Sequence, residues 1–217
     1  MQNQNNKLKI EFVALMASLM SMVALSIDAL LPALPEIGHA LGSTNSSDNQ
    51  LLITMIFLGL GFGQLIFGPL SDSFGRKPIV YFGFIVFIIA SIICVTTKSF
   101  EMMIVGRILQ GVGLSAPRSI SMSIIRDSYS GNYMAKIISI VVMFFILVPV
   151  VAPTLGQFLI NLFGWESVFY FNLIFGVIVM VWFWLRQPET LTKKHRIKFS
   201  ANLFIDGTKE FFKYKDA

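Results

Sequence analysis

Long apolar stretches alternate with short polar connectors along the chain. Six stretches, at about residues 12–34, 50–71, 78–97, 102–124, 136–161 and 167–185, are each long enough to cross a bilayer core as a helix. They lack the strict alternation of a barrel strand, and a backbone surrounded by lipid must satisfy its own hydrogen bonds, so the pattern predicts helices. The expected fold class is all-α, a polytopic six-helix transmembrane bundle over residues 12–185. A polar N-terminus (1–11) precedes it and a basic tail (186–217) follows. The first run is longer than a secretory signal core of roughly 7–15 residues and ends in LLPALPEI, so it reads as a retained span.

Composition excludes other classes. Of 217 residues, 55% are hydrophobic and 13% charged, against about 25% charged in a soluble domain. A water-soluble globule could not hide so much apolar surface, and a disordered chain would not carry it. The net charge of +5 is a topology signal, because no basic stripe is interleaved with aromatics as nucleic-acid binding would require. Lys7, Lys9, Arg76, Lys77, Arg126, Lys136 and eight basic residues of the tail fall on one side of the predicted membrane, and only Lys98 on the other. Both termini of this multi-pass membrane protein are therefore expected in the cytoplasm. The tail segment NLFIDGTKEFFKYK is mildly amphipathic; it reads as a linker that could also lie on an anionic leaflet. Cys94 has no disulfide partner, and His39 and His195 stand alone in connectors. Nothing suggests a metal site, a cofactor or an enzyme.

Charges inside the apolar runs carry the candidate chemistry. Asp28 lies deep in the first span, where an exposed charge costs at least ~3 kcal/mol, so it should face protein or water. Ser18, Ser21, Leu25, Asp28, Pro32 and Pro35 would share one helical face, a cavity-lining stripe. Arg107 and Arg118 share a face of the fourth span with Gly111 and Leu114, and Gln110 lies beside them. At ~1.5 Å per residue, Asp28 and Arg107 both sit roughly 10 Å below the outer boundary. Opposite charges at one depth are natural partners, and protonation of Asp28 would release Arg107, giving a proton-coupled switch. A permanent ion pair that only fixes packing is the structural alternative. Arg118 could instead snorkel to the cytoplasmic surface.

Glycines and prolines mark places of close approach or bending. Gly59 and Gly63 form a GxxxG pair in the second span, and Gly61, Leu65, Gly68 and Asp72 lie on another face. Pro149, Pro153 and Gly156 should kink the fifth span. The connector GPLSDSFGRKPIV holds Asp72, Gly75, Arg76 and Lys77, and Arg126 ends the fourth span on the same side. Asp72, Arg76 and Arg126 could form a charge network that latches these helix ends and breaks on rearrangement.

GPLSDSFGRKPIV resembles the loop motif of the major facilitator superfamily, GxLaDrxGRkxxl, at Gly68, Leu70, Asp72, Gly75, Arg76 and Lys77. IVGRILQGVGLSA resembles its arginine motif at Arg107, Gln110, Gly111 and Gly113. SIDALLPALPEI, IIRDSY, the P-x3-AP-x2-G run and RQPETL are similar to the Bcr/CflA drug-resistance branch of proton antiporters. The resemblance extends to about residue 190, with departures at Ala152, Gln157 and Glu166. It implies the N-terminal half of a twelve-span transporter, built of two inverted three-helix repeats, with the tail as the start of a central linker. The implied function is proton-coupled efflux of small hydrophobic or cationic drug-like molecules, hence antibiotic resistance. Asp28 would be the proton site, Arg107 and Gln110 its coupling partners, and Gly68, Asp72, Gly75, Arg76, Lys77 and Arg126 the cytoplasmic gate. Ser18, Ser21, Met22 and Arg118 would line the cavity, with Met16 and Met20 beside them as an adaptable wall. The expected partners are protons, a drug-like substrate, membrane lipid, and a second six-span half or a second copy. A proton-coupled metabolite uptake carrier and a non-transporting membrane partner protein are the alternatives.

Overall fold

The structure is a computed structural model that describes residues 10–43 and 46–197, the side chains of 46–47 excepted. The expected amphipathic tail stretch, residues 202–215, lies outside the described residues. Among the described residues seven α-helices follow one another: α1 (Ile10–Asp28), α2 (Leu34–Ala40), α3 (Ser46–Phe74), α4 (Arg76–Thr96), α5 (Phe100–Ser128), α6 (Gly131–Phe163) and α7 (Glu166–Arg186). Short 3-10 turns occupy Leu31–Ala33 and Lys193–His195, and no strand occurs among the described residues. The all-α bundle is as expected. The helices run several residues past the apolar limits, because polar residues at the membrane surface can still complete helical turns.

The first span differs from expectation. It is not one helix over 12–34: α1 stops at Asp28, and the chain re-forms as a 3-10 turn and then α2. Pro32 and Pro35 offer no backbone donor, which weakens an α-helix through LPALP. The Ala33 N–H instead closes a tight bond to the Leu30 carbonyl at 2.9 Å. By contrast, α6 continues unbroken through Pro149 and Pro153. Pro149 and Pro153 each lack the N–H that would bond four residues back, so the carbonyls of Phe145 and Pro149 lose their helical donors.

Five of the spans are long and apolar enough to cross a membrane by length and composition. The fourth, α5, falls short, because Arg107, Gln110, Arg118 and a run of small residues dilute it. Its position explains the composition. Both faces of α5 pack against protein, α3 on one side and α4 on the other. A Cβ on Gly59 would lie 2.0 Å from the Ile108 carbonyl oxygen, and one on Gly111 would lie 2.1 Å from that of Ile56. On the opposite side a Cβ on Gly113 would meet the Phe87 backbone nitrogen at 2.5 Å. The GxxxG pair of α3 is thus a crossing point with α5. The other α3 face is open, with nothing within 4 Å of a Cβ on Gly61 or Gly68, and Leu65 is exposed.

Two apolar clusters fill the interior. One gathers around Met16, Leu19, Phe84, Phe87 and Phe183, the other around Ala29, Leu52, Cys94, Trp165 and Phe169. The outer surface is also apolar, with Phe62, Ile89, Ile146, Val150, Ile174 and Trp184 all largely exposed. An apolar surface this extensive suits lipid and not water.

Candidate functional site

Among the described residues Arg107 is the largest fully buried side chain, 1% exposed, and it carries a charge. Its Nε donates to the Leu52 carbonyl of α3 at 3.1 Å, its Nη1 to Gln110 Oε1 at 2.8 Å, and its Nη2 to the Ser26 carbonyl of α1 at 3.1 Å. The Phe169 ring of α7 covers the guanidinium, 5.8 Å from ring centroid to Cζ. Gln110 Nε2 passes the network to Ser91 of α4 at 2.9 Å, and the Ser91 hydroxyl donates to the Phe87 carbonyl at 2.8 Å. Ser26 and Asn172 extend it into α7: the Ser26 hydroxyl reaches Asn172 Oδ1 at 3.5 Å, and Asn172 Nδ2 donates to the Val168 carbonyl at 3.0 Å. One guanidinium thereby ties α5 to α1 and α3 directly and, through amide and hydroxyl groups, to α4 and α7.

The Ser26 contact follows from the break in α1. In a continuous helix the Leu30 N–H would bond the Ser26 carbonyl. Here that N–H turns to Ile27 O at 3.3 Å, and the Ala29 N–H bonds Leu25 O at 3.2 Å. The Ser26 carbonyl is left without its helical donor at the negative end of the helix dipole, and Arg107 supplies a charged one. Gly156 meets the break from α6, where a Cβ would fall 2.0 Å from the Ala29 carbonyl oxygen. The expected kink motif therefore acts at a close contact, with its glycine seated on the α1 break.

Asp28 is the last residue of α1 and is partly buried. Its carboxylate makes no hydrogen bond or ion pair to any described residue. The expected Asp28–Arg107 ion pair is not formed. Equal depth placed the two residues at one level but did not fix their rotation about their helices, and the nearer acceptor for the guanidinium is backbone.

The cavity-lining set also divides. Ser18 and Ser21 line a cavity of about 630 Å³ between α1, α6 and α7. Met22 does not line it; it is 1% exposed and packs in the core beside Gly176. Met16 and Met20 are buried too. Arg118 lies over the Phe145 ring of α6 at 5.4 Å and is absent from that cavity.

At the end of the bundle where α1 begins and α7 ends, Arg76 is the hub. Its Nε donates to Asp127 Oδ2 at 3.0 Å and its Nη1 to Ser71 Oγ at 2.8 Å and to Asp72. The latch expected from Asp72, Arg76 and Arg126 is corrected by one residue. Asp127 provides the second carboxylate, and Arg126 is exposed, because a guanidinium recruits an anion and neighbouring positions on a helix point about 100° apart. Gly75, at φ 109°, is the single residue between α3 and α4, and a Cβ there would also strike Glu189 Oε2 at 2.6 Å.

Glu189, which follows α7, accepts the backbone N–H groups of Arg76 and Lys77 at 3.0 Å each and so caps α4. Thr190 Oγ1 donates to Asp127 Oδ2 at 3.1 Å, and the Ile197 N–H donates to the Asp72 carbonyl at 3.1 Å. Lys77 Nζ donates to the Trp184 carbonyl at 3.1 Å. The segment after α7 is thus strapped across the ends of α3, α4 and α5. Asp127, Glu189, Ser91 and Asn172 had no expected role. The last two were visible only as lone polar residues in apolar runs.

Residues 15–216 match the family described as "Major Facilitator Superfamily". The chain is 30% identical over 205 residues to a protein named "Bicyclomycin resistance protein homolog" from Haemophilus influenzae, covering 94% of this chain and 51% of that protein. It is 34% identical over 174 residues to a "Chloramphenicol resistance protein" from Pseudomonas aeruginosa, covering 80% and 41% respectively. A solved structure, the human organic anion transporter MFSD10 (TETRAN), shares the fold at a TM-score of 0.65 and 19% identity, over 95% of this chain and 53% of that one. The chain spans about half the length of the curated relatives it matches.

Proposed function

Because the chain belongs to the major facilitator superfamily, we propose that it forms one six-helix half of a proton-coupled exporter of drug-like small molecules, working opposite a second such bundle. The relatives named for bicyclomycin and chloramphenicol resistance support the substrate class. The observation that carries the coupling is the break in α1, with a carboxylate bound to no cation at its tip and a buried guanidinium on its freed carbonyl. Protonation of Asp28 breaks no contact in this arrangement. It removes a negative charge two residues from the Ser26–Arg107 bond and so changes the balance that holds the break closed.

Arg107 and Gln110 then act as the coupling clamp, and the Arg76 hub with Gly68, Asp72, Gly75 and Lys77 closes the cytoplasmic end. The excess of basic residues at that end favours its lying in the cytoplasm of a bacterial inner membrane. Substrate would meet the bundle on its α1 side, between the two halves.

The test is dye or antibiotic accumulation in inverted membrane vesicles holding this chain together with its complementary bundle. Asp28→Asn is expected to abolish transport driven by a pH gradient while leaving substrate binding in place. Transport by Asp28→Asn that still follows the pH gradient would refute the assignment.

A further inference from the structure

We propose that Arg118 recognises an acidic group on the transported molecule, so that the substrate class is an organic carboxylate with an apolar body. This deepens the reading of the chain as one half of an exporter and rests on it. Arg118 stands in the second half of α5, partly exposed, with its guanidinium Cζ 5.4 Å from the centre of the Phe145 ring of α6. Its side chain makes no hydrogen bond or ion pair to any described residue. A charge held that way within a span is costly unless water or a ligand meets it.

The guanidinium leans away from the nearer membrane surface. Arg118 is ten residues before Ser128, the last of α5, a rise of ~15 Å. Phe145 is fourteen residues after Gly131, the first of α6, a rise of ~21 Å. Only Tyr129 and Ser130 join those two ends, so the ring lies deeper than the Arg118 backbone and draws the cation inward. Helical side chains tilt towards the helix N-terminus, which here is the same direction. Snorkelling would take the side chain the opposite way.

The neighbouring elements supply no counter-ion. The 33 residues of α6 include no aspartate or glutamate. Of the two acids of α5, Glu101 is in its first turn, at the far end, and Asp127 already binds Arg76. On α1, Glu11 is paired with Arg186, and Asp28 lies two residues from the Ser26 carbonyl, at the level of Arg107. Ser119 and Ser123, one turn apart beside Arg118, are also partly exposed, and their hydroxyls bond no described residue. Serines in apolar helices commonly turn back on a carbonyl one turn earlier, as Ser91, Ser115 and Ser121 do here. A free cation beside two free hydroxyls thus makes a polar strip on a membrane helix. The guanidinium fork offers parallel donors to a carboxylate, and Phe145 and Met122 supply apolar surface for the rest of the molecule.

Chloramphenicol and its succinate half-ester, which differ by one carboxylate, test this in membranes holding the full 217-residue chain and its complementary bundle. Equilibrium dialysis of each radiolabelled probe is expected to show the half-ester bound about ten-fold more tightly, the worth of one charge-assisted hydrogen-bonded pair. Arg118→Gln should remove that preference and leave the Kd of chloramphenicol unchanged, whereas Arg118→Lys should keep part of the preference. Equal binding of the two probes, a preference that survives Arg118→Gln, or loss of both probes in Arg118→Gln and Arg118→Lys alike would overturn the proposal. Failure of the complementary bundle to co-purify with Arg118→Gln would also overturn it, because the cation would then belong to the contact between bundles. A preference for the half-ester without pH-driven transport upholds the acid site and sinks the exporter reading; pH-driven transport without the preference does the reverse.

Discussion

Replacing Arg107 by lysine keeps the charge and discards the geometry. The guanidinium reaches Leu52 O, Gln110 Oε1 and Ser26 O in three directions from one planar fork. A lysine ammonium is a single point and can serve one of these acceptors well. Two buried acceptors would lose their partner, at about 1–2 kcal/mol each, so Arg107→Lys should destabilise the chain by about 2–4 kcal/mol. For a chain of this size that lowers Tm by roughly 5–10 °C. Arg107→Met also orphans the acceptors, but it removes a buried cation that has no carboxylate bonded to it, so part of the loss is recovered. The expected order of thermal stability in detergent, followed by tryptophan fluorescence, is wild type, then methionine, then lysine. If the lysine variant melts with wild type, the positive charge alone sustains the site and the carbonyl clamp on α1 is wrong.

The α3–α5 crossing predicts a contrast between two glycines two residues apart. Gly59→Ala should cost more than ~2 kcal/mol, because its Cβ meets rigid backbone, whereas Gly61→Ala faces open space and should stay within ~0.5 kcal/mol; denaturation of both variants checks this. Glu189→Ala removes the cap on α4 and should cost ~1 kcal/mol. Its sharper signature is faster proteolysis within residues 187–197, and unchanged cleavage there would mean that the strap is held without Glu189.

The spans, their number and the close approach at Gly59 and Gly63 were readable because they follow from helical period and residue size. Arg107 and Gln110 stood out for the same reason, as polar residues that lipid would not accept. The partner of Arg107 did not, since a freed carbonyl at Ser26 has no side-chain signature and exists only because LPALP ends α1 early. The choice of Asp127 over Arg126 turned on helix rotation, which a one-residue uncertainty in the helix end erases. Glu189 was hidden by distance along the chain: its target, the start of α4, is more than a hundred residues away.

The placement of α5 also governs how the chain enters the bilayer. A segment carrying two arginines and a glutamine would partition poorly if the translocon released it singly into lipid. During synthesis α3 and α4 emerge first, and they already display the backbone surfaces on which α5 packs. Membrane integration of the fourth span therefore depends on the preceding hairpin, and a chain lacking α3 should leave α5 stranded on the aqueous side.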